Sequence, residues 1–211
     1  IGRSTAWHLS ELGHQVRLID PAIGESIKQC GQRTGTNASL GVLMGYIFKR
    51  SSGRAWRLRQ LSMHLWPHWI KMLRTQELPL NLKTPLIQLA RSEAEFSSMR
   101  KIAEERANLG LELLCKRKEN PLSHEWPKNQ FGGLISHKDG RIDPLQLQNC
   151  LLSALKKNNV QEINDKVISL ERGSSLPEKR WKVNFKNGIS LQQDAVIICT
   201  SLGTQKLLKP L

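Results

Sequence analysis

The first twenty residues constrain the fold more than any other stretch. Ala6, Leu9 and Leu12 recur at helical spacing, Gly13 stops the helix, Val16, Leu18 and Ile19 form a short apolar strand, and Asp20 stands at its end. Helix, glycine, strand and carboxylate in that order make the second half of a βαβ unit that binds a dinucleotide. In such a unit the helix N-terminus faces the phosphates and the acid accepts hydrogen bonds from a ribose. Gly2 falls where the third glycine of G-x-G-x-x-G belongs and no Met precedes it, so the chain reads as beginning inside the motif.

A chain of 211 residues can bury a sizeable core in one or two domains. No run approaches the roughly 18 apolar residues of a membrane span, so no span is expected. Cys30, Cys115, Cys150 and Cys199 are widely spaced and form no C-x-x-C pair. They suggest neither a zinc site nor a disulfide framework, no metal is expected, and a reducing cytoplasm is the default location. Cys150 and Cys199 lie in apolar runs and are expected in the core. The unusual bulk property is a net charge of +14 with a pI near 10, which raises the question of a nucleic-acid partner. Between Glu25 and Glu77 there are nine Lys or Arg and no acid, with Trp56, Trp66 and Trp69 interleaved. The alternatives are a nucleic-acid surface, or core tryptophans beside a solvated basic face.

After Asp20 and Pro21 comes a polar stretch through Gly31, Gly35, Thr36, Asn37 and Ser39 to Gly41, of a composition that brings backbone N–H groups close to a phosphate. Val42 to Phe48 is a short apolar run. Ser51 or Ser52 then caps a helix whose Leu58, Leu61, Leu65, Trp69 and Met72 share one stripe up to about Arg74. Pro67 predicts a kink or break in it, and Arg54 and Arg57 fall beside the stripe, facing either a buried anion or solvent. Strands are expected at Leu86 to Leu89, Leu111 to Leu114 and Leu134 to Ser136, with a charged helix from about Glu93 to Asn108 closed by Gly110. Asp143 suits an N-cap and Pro144 the first position of a helix presenting Leu147, Leu151, Ala154 and Leu155, and ending at Lys156 and Lys157. A strand over Val167, Ile168 and Leu170 precedes a hairpin through Trp181, Val183 and Phe185, where Asn187-Gly188 predicts a type I′ turn into Ile189 and Leu191. Ala195 to Cys199 reads as an uninterrupted parallel strand, running into Thr200, Ser201 and Gly203.

In sequence these pieces resemble the flavin-dependent oxidases of the D-amino acid oxidase class, glycine oxidase type. The spacing Gly2, Ala6, Leu9, Gly13, Val16, Asp20 carries the resemblance, as do the loop Asn37-Ala38-Ser39-Leu40-Gly41-Val42-Leu43 and Gly140-Arg141-Ile142-Asp143-Pro144. The three-stranded meander before Ala195 adds to it. Two positions depart from the family pattern: Asp20 replaces the commoner Glu, and Thr200-Ser201 replaces a glycine-containing turn.

The resemblance implies an α/β fold in which a Rossmann-like FAD-binding domain, residues 1–77 and 139–211, carries an inserted, incomplete α+β substrate domain over 78–138. It implies FAD contacts at Ile1, Gly2, Asp20, Pro21, Thr36, Asn37, Ser39, Leu40, Gly41, Val42, Val167 and Thr200, with Val167 meeting adenine through its backbone. The implied reaction is oxidation of glycine, a D-amino acid or a related amine to the imine, with electrons passing to oxygen. The family's substrate arginine and last flavin loop are expected beyond Leu211, so no catalytic residue is assigned and residues 1–211 alone are expected to be inactive. Three alternatives stay open: an FAD-dependent tRNA-modifying oxidoreductase, a flavin dehydrogenase using another acceptor, and a non-enzymatic dinucleotide-binding protein.

Overall fold

The computed structural model describes residues 1–23, 38–114, 131–173 and 181–208. Of the expected site residues, Thr36 and Asn37 lie outside that set, as do Gly31, Gly35, Cys30 and Cys115. In chain order the elements begin with α1 (Gly2–Glu11), β1 (Arg17–Ile19), β2 (Val42–Leu43), α2 (Gly53–Leu73), β3 (Leu86–Leu89), α3 (Glu93–Glu105) and β4 (Leu111–Leu114). They continue with β5 (Gly133–Ser136), β6 (Gly140–Arg141), α4 (Pro144–Lys157), β7 (Gln161–Ile163), β8 (Val167–Arg172), β9 (Trp181–Phe185), β10 (Ser190–Gln193) and α5 (Thr204–Leu208). The chain divides into two compact units, Ile1–Asn37 with Leu151–Leu211, and Ala38–Cys150.

In the first unit α1 buries Ala6 and Trp7, and the amides of Leu12, Gly13 and His14 turn back onto its last carbonyls, closing the helix at Gly13 as its sequence predicts. β1 pairs in parallel with β7, from Arg17↔Gln161 to Ile19↔Ile163. β7 was not anticipated: it is three residues long and two of them are the polar Gln161 and Glu162, so it has no apolar run to reveal it. β8, β9 and β10 form the expected antiparallel meander. Leu170, Val183 and Phe185 on its inner face pack with Leu207, and Ile19, Ile163, Val196 and Ile198 surround them.

Three expectations for this unit change. Segment 195–199 is not a ladder strand: no described strand pairs with it, and Val196 and Ile198 are half-buried while Ile197 is 58% exposed. An apolar run supplies side chains for a sheet, but a strand also needs a neighbour for its amides and carbonyls. Cys199 is exposed for the same reason, although Cys150 is buried as expected. The β9–β10 turn is also not type I′, which needs positive φ at both central residues. Gly188 alone has it, at +85°, with the Phe185 N–H donating to the Ile189 carbonyl and the Gly188 N–H to the Phe185 carbonyl. The turn is therefore a three-residue loop ending in a left-handed glycine.

In the second unit β3, β5 and β4 form an antiparallel sheet in that order. α3 covers it, placing Phe96, Met99 and Ala103 against Ala90, Leu111, Leu134 and Ile47. Ser92 caps α3 by accepting from the Glu95 N–H, while the Glu95 carboxylate accepts from the Arg91 N–H. A 3₁₀ turn over Ala107–Leu109 then carries the chain to Gly110. α2 is one helix through Pro67, not two. Its inward face is Met63, Ile70 and Leu73, whereas Leu58, Leu61 and Met72 of the expected stripe are 55%, 54% and 44% exposed. Periodicity finds an apolar stripe but not which of two adjacent stripes meets the core. Arg54 and Arg57 face solvent. At the start of α4 the Asp143 side chain accepts from the Leu145 and Gln146 N–H groups, as its N-cap position requires.

β2 pairs antiparallel with β6, Val42 with Arg141 and Leu43 with Gly140. Just before it Gly41 has φ +67° and passes so close to Ile142 that an added Cβ would sit 1.9 Å from its carbonyl oxygen. Gly188, by contrast, has open space around it. Replacing Gly188 by Ala is expected to cost only the left-handed backbone penalty, about 1–2 kcal/mol. Gly41→Ala meets that penalty and the clash together, so its denaturation midpoint should fall further than that of Gly188→Ala. Equal midpoints would contradict the close approach.

Candidate functional site

The first unit holds six of the predicted site residues, Ile1, Gly2, Asp20, Pro21, Val167 and Thr200. α1 precedes β1 and packs back on it, so the N-terminus of α1 and the C-terminus of β1 lie on the same side. Consistent with this, a Cβ on Gly2 would stand 3.8 Å from Leu18 and 3.6 Å from Cys199. Ile1, 90% exposed, is the N-cap; no side chain caps the helix and its first turn holds no acid. A helix N-terminus left in that condition favours an anion, through both its dipole and its N–H groups.

Asp20 leaves β1 beside β7, its N–H donating to the Ile163 carbonyl at 3.2 Å. The carboxylate is exposed, and one oxygen accepts from the Ala22 N–H at 2.8 Å, which fixes a turn through Pro21 and leaves the side chain at the surface. Val167 opens β8 four residues after Ile163, at a register shift between Val167 and Ser169, and packs against the same apolar cluster as Ile19 and Ile163. Thr200 follows Cys199, whose Cβ faces the position a side chain on Gly2 would take. Its carbonyl accepts from the Gly203 N–H, and Ser201 after it has φ +51°. The turn thus takes the conformation that a glycine would adopt freely, at the strain of a non-glycine residue there. Ile1 and Gly2 therefore lie at the same end of the first unit as Asp20 and Pro21, beyond the carboxyl end of β1; open α/β sheets bind ligands at such an end.

The second unit holds Ser39, Leu40, Gly41 and Val42. Ser39 Oγ accepts from the Gly41 N–H at 3.1 Å and the Gly41 carbonyl accepts from the Ile142 N–H at 2.9 Å. Leu40 is 81% exposed and Val42 41% exposed. The turn is held from below while its upper surface is open.

What holds it was not anticipated from sequence. Asp139, fully buried, accepts from the Gly45 N–H at 2.7 Å, from the Tyr46 N–H at 3.0 and 2.9 Å on its two oxygens, and from the Ile47 N–H at 2.6 Å. Arg106, 4% exposed, donates from Nη1 to the Tyr46 and Phe48 carbonyls at 2.7 and 2.8 Å and from Nη2 to the Lys49 carbonyl at 2.9 Å. Its guanidinium also lies 4.9 Å from the centre of the Trp56 ring. Burial draws the Arg106 pKa below its ordinary value, opposed by the Glu105 charge. Burial and then the Asp139 charge push the Tyr46 phenol up. Stranding one buried amide costs about 1–3 kcal/mol, so a carboxylate that serves three is a major local term. In the sequence Asp139 reads as a turn residue before Gly140 and Arg106 as one more charge on a charged helix; neither carries a signal of burial.

Among the described residues no group of three or more His, Cys, Asp or Glu is placed to hold a metal ion. No described helix is long and apolar enough to cross a membrane. The basic run resolves in part: Arg54, Arg57 and Lys71 are exposed on α2, Arg59 stacks 3.8 Å over the Phe48 ring, and Trp66 and Trp69 pack edge to face at 5.7 Å.

The fold resembles solved structures of amino-acid-metabolising enzymes. Glycine oxidase from Geobacillus kaustophilus superimposes with a TM-score of 0.80 at 18% identity, over 98% of this chain and 54% of that one. Glycine oxidase from Bacillus cereus gives 0.78 at 19% identity, over 100% and 56%. L-proline dehydrogenase from P. horikoshii gives 0.71 at 14% identity, over 98% and 52%. The chain thus spans about half the length of these structures. No curated protein sequence matches it. The model of one family, DAO, described as FAD dependent oxidoreductase, matches residues 1–211. With that match over its whole length, and the fold in agreement, the chain belongs to the DAO family of FAD-dependent oxidoreductases.

Proposed function

We propose that the protein oxidises a small amino acid or amine, of the glycine or D-amino acid type, to its imine and passes the electrons to oxygen. One observation carries the reading: an uncapped, acid-free helix N-terminus and an exposed carboxylate lie at the same end of the unit, at the carboxyl end of β1 in its parallel pair with β7. A phosphate anion at the first and ribose hydroxyls at the second fit the adenosine half of FAD. The names of the similar structures, two glycine oxidases and an L-proline dehydrogenase, support an amino-acid donor.

In this reading the chain binds and orients. Ile1 and Gly2 admit the pyrophosphate to the helix N-terminus, Asp20 accepts from the ribose with the turn at Pro21 behind it, and the Val167 backbone meets adenine. Ser39, Leu40, Gly41 and Val42, with Thr36 and Asn37 before them, line the pyrophosphate and flavin, and Thr200 adds a hydroxyl. FAD itself supplies the electron-accepting chemistry. Residues 1–77 and 139–211 are proposed as the FAD-binding part and 78–138 as part of the substrate domain. A cytoplasmic location goes with the reading.

A second reading, an FAD-dependent oxidoreductase acting on tRNA, is favoured by the exposed Arg54, Arg57, His64, His68 and Lys71 on α2, a helix without an acid. RNA affinity that falls steeply between low and moderate salt would support it.

The full-length polypeptide, loaded with FAD, is expected to release hydrogen peroxide with glycine, sarcosine or small D-amino acids. Turnover only with an artificial electron acceptor would point to a dehydrogenase, and none with any of the panel would contradict the reading. Asp20→Ala removes a charged hydrogen-bond acceptor worth about 1.5–3 kcal/mol. FAD affinity, measured by fluorescence quenching, should therefore fall roughly ten- to hundredfold. An unchanged affinity would remove Asp20 from the site.

A further inference from the structure

Segment 45–49 belongs to no helix or strand, yet Gly45 and Ile47 are buried. Buried backbone outside regular structure must find partners for its N–H and C=O groups, and here two side chains divide the task. Asp139 takes the amides of Gly45, Tyr46 and Ile47; Arg106 takes the carbonyls of Tyr46, Phe48 and Lys49. The segment fits closely as well, since a Cβ on Gly45 would stand 2.2 Å from Met63 Cγ.

The residues after Asp139 then hold the residues before Gly45. Gly140 and Arg141 pair with Leu43 and Val42, and the Ile142 N–H donates to the Gly41 carbonyl. From Ile47 back to Gly41 the chain is fastened in antiparallel order onto 139–142. A shift of the buried carboxylate would therefore be transmitted to the turn Ser39–Val42 with no slack loop between them.

We propose that Asp139 and Arg106 are positioning residues for the cofactor: together they hold 45–49, and through β2 they set Ser39–Val42 in its binding shape before FAD arrives. The inference rests on the FAD reading above and adds that this part of the cradle is preorganised by groups that do not touch the cofactor. A loop already ordered loses less entropy on binding, so the consequence lies in affinity.

The test uses the full-length apoprotein, with FAD titration, thermal unfolding without FAD, and hydrogen exchange over residues 41–49. Asp139→Asn keeps the size but turns an NH₂ group toward an amide that needs an acceptor. Arg106→Met removes the donors and Arg106→Lys restores a cation. Asp139→Asn and Arg106→Met are expected to weaken FAD binding at least tenfold and to speed exchange over 41–49 while exchange in β3 and β5 is unchanged. Arg106→Lys should recover part of the affinity, and Glu112→Gln, which breaks an exposed pair with His137, should change nothing.

Folded Asp139→Asn protein that binds FAD within twofold of wild type would overturn the proposal while leaving the FAD reading intact. A wild-type protein that binds no FAD would overturn the FAD reading first, and the affinity consequence with it; intact exchange differences would show which had failed. Should the variants not fold, the wild type decides. Equal protection over 41–49 with and without FAD supports preorganisation, and protection that appears only with FAD overturns it.

Discussion

A buried carboxylate and a buried guanidinium hold together segment 45–49, which belongs to no helix or strand. Between β2 and α2 no ladder or helix pairs the backbone, although it passes through the interior of its unit. Irregular backbone is stable there only when every donor and acceptor is answered, because water cannot do it. Asp139 answers the amides of Gly45, Tyr46 and Ile47, and Arg106 the carbonyls of Tyr46, Phe48 and Lys49. Each is itself costly to bury, and the hydrogen bonds offset that cost. Ile47 completes the arrangement by entering the apolar cluster under α3, so polar satisfaction and core packing fix the same few residues.

The first unit solves a different problem. Its parallel pair β1–β7 is only three residues wide on each side. It persists because the meander β8–β9–β10 brings Leu170, Val183 and Phe185 against Ile19 and Ile163, and Val196 and Ile198 add to the same cluster without joining a ladder. The polar ends of α1 and β1 are left at one rim, with a helix dipole on one side and a carboxylate on the other. Both features follow from chain direction: a helix that returns antiparallel to the strand it precedes must present its N-terminus where that strand ends.

Much of this was legible in the sequence, and the failures have physical causes. The helix stop at Gly13, the N-cap at Asp143 and the strand positions β3, β4 and β5 each depend on local chemistry that a few residues display. The strand ending just before Asp20 was legible from its short apolar run. Where partners are distant in sequence, local patterns gave out. Ala195 to Cys199 has the composition of a central strand but no ladder neighbour, β7 has a neighbour but not the composition, and on α2 two adjacent apolar stripes competed for one core. Asp139 and Arg106 were missed most completely. Their roles depend on backbone more than fifty residues away, and an isolated charge in a sequence looks like a solvated one. The departure at Thr200-Ser201 was visible, yet its outcome, Ser201 taking up a positive φ, required the fold.

The proposed reading is that the α1 N-terminus and Asp20 bind the adenosine end of FAD. Competition between FAD and FMN in the full-length apoprotein tests it most directly, because the two share the flavin and differ in that end. The account predicts that FMN, even in hundredfold excess, displaces little bound FAD. Comparable affinities for FMN and FAD would mean that the rim formed by α1 and β1 does not hold the cofactor, and would contradict the account.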